Sequence, residues 1–134
     1  MFKLFFVVML LALVIFSPTV DAKSQNLSID GDHGKLSAIL QTPDNLKEFP
    51  LVIICHGFTG SKMEPLHVNL ANELEARGIA SIRFDFNGHG ESEGNFQDMT
   101  VLNEIEDAKK VYAYARDLKG VTSVSIAGHS QDQL

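Results

Sequence analysis

The run Leu51-Val52-Ile53-Ile54-Cys55 is apolar at every position, with Pro50 before it and His56-Gly57 after it. A strand with one wet face alternates polar and apolar side chains. This run does not alternate, so it predicts a strand covered on both faces, as in a parallel sheet flanked by helices. The neighbouring sequence supplies the matching parts. Residues 79–84 predict a second strand, and residues 121–127 a third with Val124 and Ile126 inside. Between the first two, Pro65 opens a helix in which Leu66, Leu70 and Leu74 recur at i+4 until Gly78 ends it. A second helix is predicted over 100–118, with Val101, Ile105, Ala108, Tyr112 and Ala115 as its apolar stripe and Gly120 as its stop. Ahead of these, residues 27–30 and 36–41 predict a hairpin around Asp30-Gly31-Asp32-His33-Gly34, and residues 44–50 a polar connection. Strand and helix then alternate, which is the grammar of an α/β sheet. No repeat, low-complexity tract or linker marks a second domain.

Residues 1–22 read as an address rather than as part of the fold. A basic start at Lys3 leads into thirteen uninterrupted apolar residues, Leu4 to Phe16, relaxing at Ser17 and Pro18. With Val20 and Ala22 at the −3 and −1 positions, this is the anatomy of a secretory signal peptide cleaved after Ala22. The alternative is an uncleaved membrane anchor. Thirteen residues rise only about 20 Å as a helix against a hydrocarbon core of about 30 Å, which favours export to the periplasm or the medium. The domain proper is then 23–134, with no membrane contact expected beyond the signal segment. The formal net charge of −6 argues against a nucleic-acid partner. Cys55 is the single cysteine, so neither an intramolecular disulfide nor a paired-thiolate zinc site is available.

In sheets of this kind ligands gather beyond the carboxyl ends of the strands. The strand ending at Ala127 runs into Gly128-His129-Ser130-Gln131, the first four positions of a nucleophile elbow that exposes a serine hydroxyl on a sharp turn. The loop His56-Gly57-Phe58-Thr59-Gly60 follows the buried strand and offers a backbone N–H at Phe58, as an acyl-transfer transition state requires. Together with the glycine-rich stretch Arg83-Phe84-Asp85-Phe86-Asn87-Gly88-His89-Gly90-Glu91-Ser92-Glu93-Gly94, these motifs make the chain resemble the α/β-hydrolase superfamily. Within it, the likeness is to the small serine esterases (cinnamoyl or feruloyl esterase-like) and the serine aminopeptidase or monoacylglycerol lipase-like group. The resemblance implies a carboxylic ester substrate, less readily an amide. It also implies Ser130 as the acyl-forming nucleophile, the N–H groups of Phe58 and Gln131 as the oxyanion hole, and no cofactor.

Two features depart from the family pattern. The fifth elbow position is Asp132 rather than glycine, and only four residues follow Ser130, none a histidine, although the family order is Ser, Asp or Glu, then His. The expectation is therefore the N-terminal half of a hydrolase sheet, cut after the elbow by a premature stop, a frameshift near the Gln131 codon or an incompletely read gene, and inactive without its base. The sheet edge so exposed would invite self-association or a partner, and a non-catalytic homologue binding through that edge is the competing reading. Other residues carry plainer expectations. His56 shapes its loop. The five histidines never stand at i,i+4, so no metal site is expected. Asp85 and His89 form a rearranged triad with Ser130 only if hydrogen bonds join them. The acidic loop 88–94 lacks the lysine of a phosphate loop and reads as turn structure. Cys55 is a core residue, and the charged residues from Glu104 to Arg116 form a solvated helix face.

Overall fold

The computed structural model describes residues 23–129; Ser130 and Gln131, the elbow positions predicted to attack and to donate, and the address segment 1–22 lie outside the described residues. Five strands form one sheet. They are β1 (Lys23–Asp30), β2 (Lys35–Thr42), β3 (Phe49–Cys55), β4 (Ala80–Phe84) and β5 (Val121–Gly128), in the spatial order β1-β2-β4-β3-β5. The predicted hairpin is present, with Ile29 opposite Leu36 and Asp30 opposite Lys35. β2 runs antiparallel to β4, whereas β3 lies parallel to both β4 and β5. Two helices, α1 (Pro65–Ala76) and α2 (Val101–Arg116), complete the unit, and a single 3-10 turn spans Phe96–Asp98. Among the described residues no helix is long and apolar enough to cross a membrane.

The sheet has two unlike faces. Alternate residues Leu36, Ala38 and Leu40 of β2, Leu51 and Ile53 of β3, and Ala80, Ile82 and Phe84 of β4 meet Val111 and Ala115 of α2 in the apolar core. On the other face β4 presents Ser81 and Arg83 and β2 presents Gln41, all buried under α1. The apolar run of β3 is thus covered on both sides as predicted, but one cover is oily and the other polar.

That difference corrects both helix faces. The predicted leucine stripe of α1 is not its buried side: Leu66 is exposed, while His67, Ala71 and Glu75 point inward. Gln41 Nε2 donates to Asn72 Oδ1 at 2.9 Å and to the Glu75 carboxylate, so α1 turns polar groups toward a polar sheet face. In α2 the inward residues are Asn103, Glu104, Asp107, Val111 and Ala115, a stripe rotated by about one residue from the prediction. Of the predicted set, Val101, Ile105 and Tyr112 are exposed, and the charged face expected to be wholly solvated contributes two buried carboxylates. The Asp107 carboxylate decides the rotation. It accepts from the Asp32 N–H at 2.7 Å and the Asn87 N–H at 2.9 Å, fastening α2 to the hairpin turn and to the loop after β4. A capping box starts the helix, with Thr100 Oγ1 accepting from the Asn103 N–H at 3.2 Å.

β5 is the outermost strand on its side of the described sheet. Val124 packs on the core, but Ile126, predicted to be inside, is 55% exposed and lines an apolar groove with Ile105, Ala108 and Tyr112.

Removing the tie made by α2 has a calculable cost. Replacing Asp107 by Ala strips two inward N–H groups of their acceptor, at about 1–3 kcal/mol each when no water replaces it. Urea denaturation of Asp107→Ala is expected to show a stability loss of roughly 2–4 kcal/mol with an unchanged m-value.

Candidate active site

Three segments leave the sheet at its carboxyl end: residues 56–64 after β3, residues 85–95 after β4, and His129 after β5. Cys55 is the register partner of Phe84 on one side and of Gly128 on the other. The three loops therefore emerge side by side. The His129 N–H donates to the Cys55 carbonyl at 3.2 Å, carrying the pairing one residue past β5. The next residue in the sequence is Ser130.

The loop after β3 turns tightly. The Gly60 N–H donates to the Gly57 carbonyl at 3.0 Å, and Thr59 sits at φ +59°, a left-handed conformation that a β-branched side chain rarely adopts. Such strain at a loop apex persists only where the surroundings hold it. No acceptor among the described residues takes up the N–H of Phe58. Its ring lies 5.5 Å from that of Phe96, and Thr59, Gly60, Gly88, His89, Gly90 and Phe96 line an open cleft of about 300 Å³ beside it.

His56 shapes the loop, as the sequence suggested. Its Nδ1 donates to the Gly57 carbonyl at 2.8 Å and its Nε2 accepts from the Phe86 N–H at 3.1 Å, which fixes the neutral Nδ1–H tautomer. Burial pushes its pKa below the ordinary histidine value, because a charged ring would lose its hydration there. Among the described residues no hydrogen bond joins Asp85 to His89, the pair that a rearranged triad would need. The Asp85 carboxylate is taken by the Lys62 ammonium at 2.6 Å, the Lys62 N–H at 2.7 Å and the Glu91 N–H at 2.9 Å, while His89 Nδ1 donates to the Asn87 carbonyl at 3.2 Å. Gly90, at φ +48°, lets the backbone pass over this carboxylate: a Cβ there would lie 2.3 Å from Asp85 Oδ2.

Sequence reasoning missed the buried Lys62. Its one signal is a lysine three residues before Pro65 in a loop, which any solvated lysine would match. Cys55 is half-buried, and burial pushes its thiol up to about 12, so it is inert packing. Among the described residues no group of three His, Cys, Asp or Glu side chains is placed to hold a metal ion.

A family model for serine aminopeptidases, S33, matches residues 47–131, taking in all three loops and both elbow positions. The chain belongs to the serine aminopeptidase S33 family. Its described part is a portion of the α/β-hydrolase fold: an antiparallel hairpin, then parallel strands with flanking helices. The structure of Est1E from Butyrivibrio proteoclasticus with ferulic acid bound is similar at a TM-score of 0.76 and 42% identity, over 78% of this chain and 43% of Est1E. XC6422 from Xanthomonas campestris, an α/β serine hydrolase without a lid, is similar at a TM-score of 0.71 and 26% identity, over 81% of this chain and 51% of that one. The quorum-quenching protein AidA of Acinetobacter baumannii is 32% identical over 94 residues, which is 69% of this chain and 31% of AidA. The chain thus spans less than half of Est1E and less than a third of AidA.

The His56 arrangement has a definite pH signature. With its folded pKa lowered, His56 contributes stability that is fully present above the unfolded value of about 6.5 and is lost as pH falls below it toward the folded pKa. Long-range ¹H–¹⁵N NMR is expected to show the Nδ1–H tautomer at neutral pH and a titration midpoint below that of an exposed histidine. A midpoint at or above 6.5 contradicts the assignment.

Proposed function

We propose that this protein is a serine hydrolase of small-molecule carboxylic esters, and less readily of amides, acting through an acyl-enzyme at Ser130. The observation that carries the reading is the Cys55–Gly128 register with the His129-to-Cys55 hydrogen bond, which sends the segment bearing Phe58 and His129, the residue before Ser130 in the sequence, out of adjacent parallel strands. Attack by Ser130 Oγ on an ester carbonyl makes a tetrahedral oxyanion, for which the N–H groups of Phe58 and Gln131 are the donors in this reading. Collapse expels the alcohol, and water then cleaves the acyl-enzyme to the acid. A base must take the serine proton first. His56 has both ring nitrogens committed, so it is not proposed as that base. Ester chemistry is supported by the likeness to Est1E, which binds ferulic acid.

The exposed Ile126 beside Ile105 and Tyr112 favours a second reading, in which β5 and the groove next to it bind a partner or a second copy without chemistry. A fluorophosphonate probe separates the two. Labelling that disappears in Ser130→Ala supports the hydrolase, whereas an unlabelled, soluble, partner-bound chain supports the binding role.

The chain is further proposed to be exported, with residues 1–22 removed. Cleavage after Ala22 would leave Lys23, the first residue of β1, as the new N-terminus. N-terminal sequencing of the exported protein is expected to begin Lys-Ser-Gln-Asn, and a start within residues 1–22 contradicts it.

A further inference from the structure

We infer that Lys62 is a positioning residue for the Phe58 amide, with β4 as the reference against which that amide is held. Lys62 is 4% exposed and is gripped at three points by two residues of β4 and its immediate continuation. Its N–H donates to Asp85 Oδ1 at 2.7 Å, its ammonium donates to Asp85 Oδ2 at 2.6 Å, and its carbonyl accepts from Arg83 Nε at 3.1 Å. Arg83 is itself held through Nη1, which donates to Gln41 Oε1 of β2 at 3.0 Å. The outer end of the ammonium reaches the Glu91 carboxylate at 3.0 Å.

The grip matters because of what it bounds. On the other side of Phe58, the His56 ring is pinned between the Gly57 carbonyl and the Phe86 N–H, and Phe86 again belongs to the segment leaving β4. The four-residue turn Gly57–Gly60, with Thr59 at its strained apex, is thus suspended between two anchors, both fastened to the β4 side. A lysine is suited to this because a single point charge satisfies a buried carboxylate while its own backbone occupies the second oxygen. Removing that charge leaves this end of the turn held only by the backbone bonds of residue 62, to Asp85 Oδ1 and from Arg83 Nε.

The inference rests on the reading of Phe58 as an oxyanion donor, and its test separates the two. The variants are Lys62→Met, which keeps the aliphatic stem, and Lys62→Met with Asp85→Asn, which removes the buried charge altogether and so guards against failure to fold. Each is compared with the wild-type chain by fluorophosphonate labelling kinetics and by the ¹H–¹⁵N resonance of Phe58. Displacing an oxyanion donor by a fraction of a bond length is expected to lower the limiting labelling rate about tenfold or more. The half-saturating probe concentration should be unchanged, and the Phe58 amide should shift or broaden. A folded double variant with the wild-type limiting rate and an unmoved Phe58 amide overturns the inference, even if its melting temperature falls. If the wild-type chain does not label at all, the result counts against Ser130 chemistry, and the Phe58 resonance alone then decides the positioning.

Discussion

The buried carboxylate of Asp85 is the constraint on which the carboxyl end of this sheet depends. An ionised carboxylate taken out of water is tolerated only when its oxygens are fully met. Here two backbone N–H groups and one ammonium meet them, two of the three from Lys62 in the loop after β3 and one from Glu91 in the loop after β4. The Ser92 hydroxyl adds a bond to the Asp85 carbonyl at 2.6 Å, so the acidic loop folds back over its own strand. Satisfying one buried group in this way fixes the relative positions of the loops after β3 and β4.

Asp107 plays the equivalent part on the opposite face. Its two accepted N–H bonds join α2, the hairpin turn and the loop after β4, and burial still leaves its carboxyl above the ordinary aspartate pKa. Asn87 links the same places a second time, accepting from the His33 N–H at 2.7 Å and donating to the Glu93 carbonyl at 3.0 Å. The glycine-rich stretch is therefore held from both sides, by Asp85 toward α1 and by Asp107 toward α2. A loop with this many fixed points costs little further ordering when a ligand arrives beside it.

How much of this was legible in the sequence follows from what each signal measures. Strand positions and the hairpin were readable because β4 is buried throughout and the middle of β3 is covered on both faces, and burial writes itself directly as apolar runs or as glycine-bounded segments. The helix faces were misread because hydrophobic periodicity assumes that buried means apolar. In α1 and α2 it does not, since His67, Glu75, Glu104 and Asp107 point inward while Leu66, Ile105 and Tyr112 lie outside. Their partners, Gln41 for Glu75 and the N–H groups of Asp32 and Asn87 for Asp107, are remote in sequence, so no local pattern announces them. Toward the candidate site, the sequence singled out Phe58 through its motif and His56, which shapes the loop, through its place at a strand end. Lys62 was missed because its burial and its contacts with Asp85 and Arg83 exist only once β3 and β4 are paired.

The central claim is that the Phe58 amide and the Ser130 hydroxyl converge on one reacting carbonyl. Its most direct test is amide NMR of the chain titrated with a phenylboronic acid, whose boron forms a tetrahedral adduct with an accessible serine oxygen. The account predicts that the Phe58 and Gln131 N–H resonances move downfield together as the adduct forms and stay still in Ser130→Ala. An adduct at Ser130 that leaves the Phe58 resonance unmoved would contradict it.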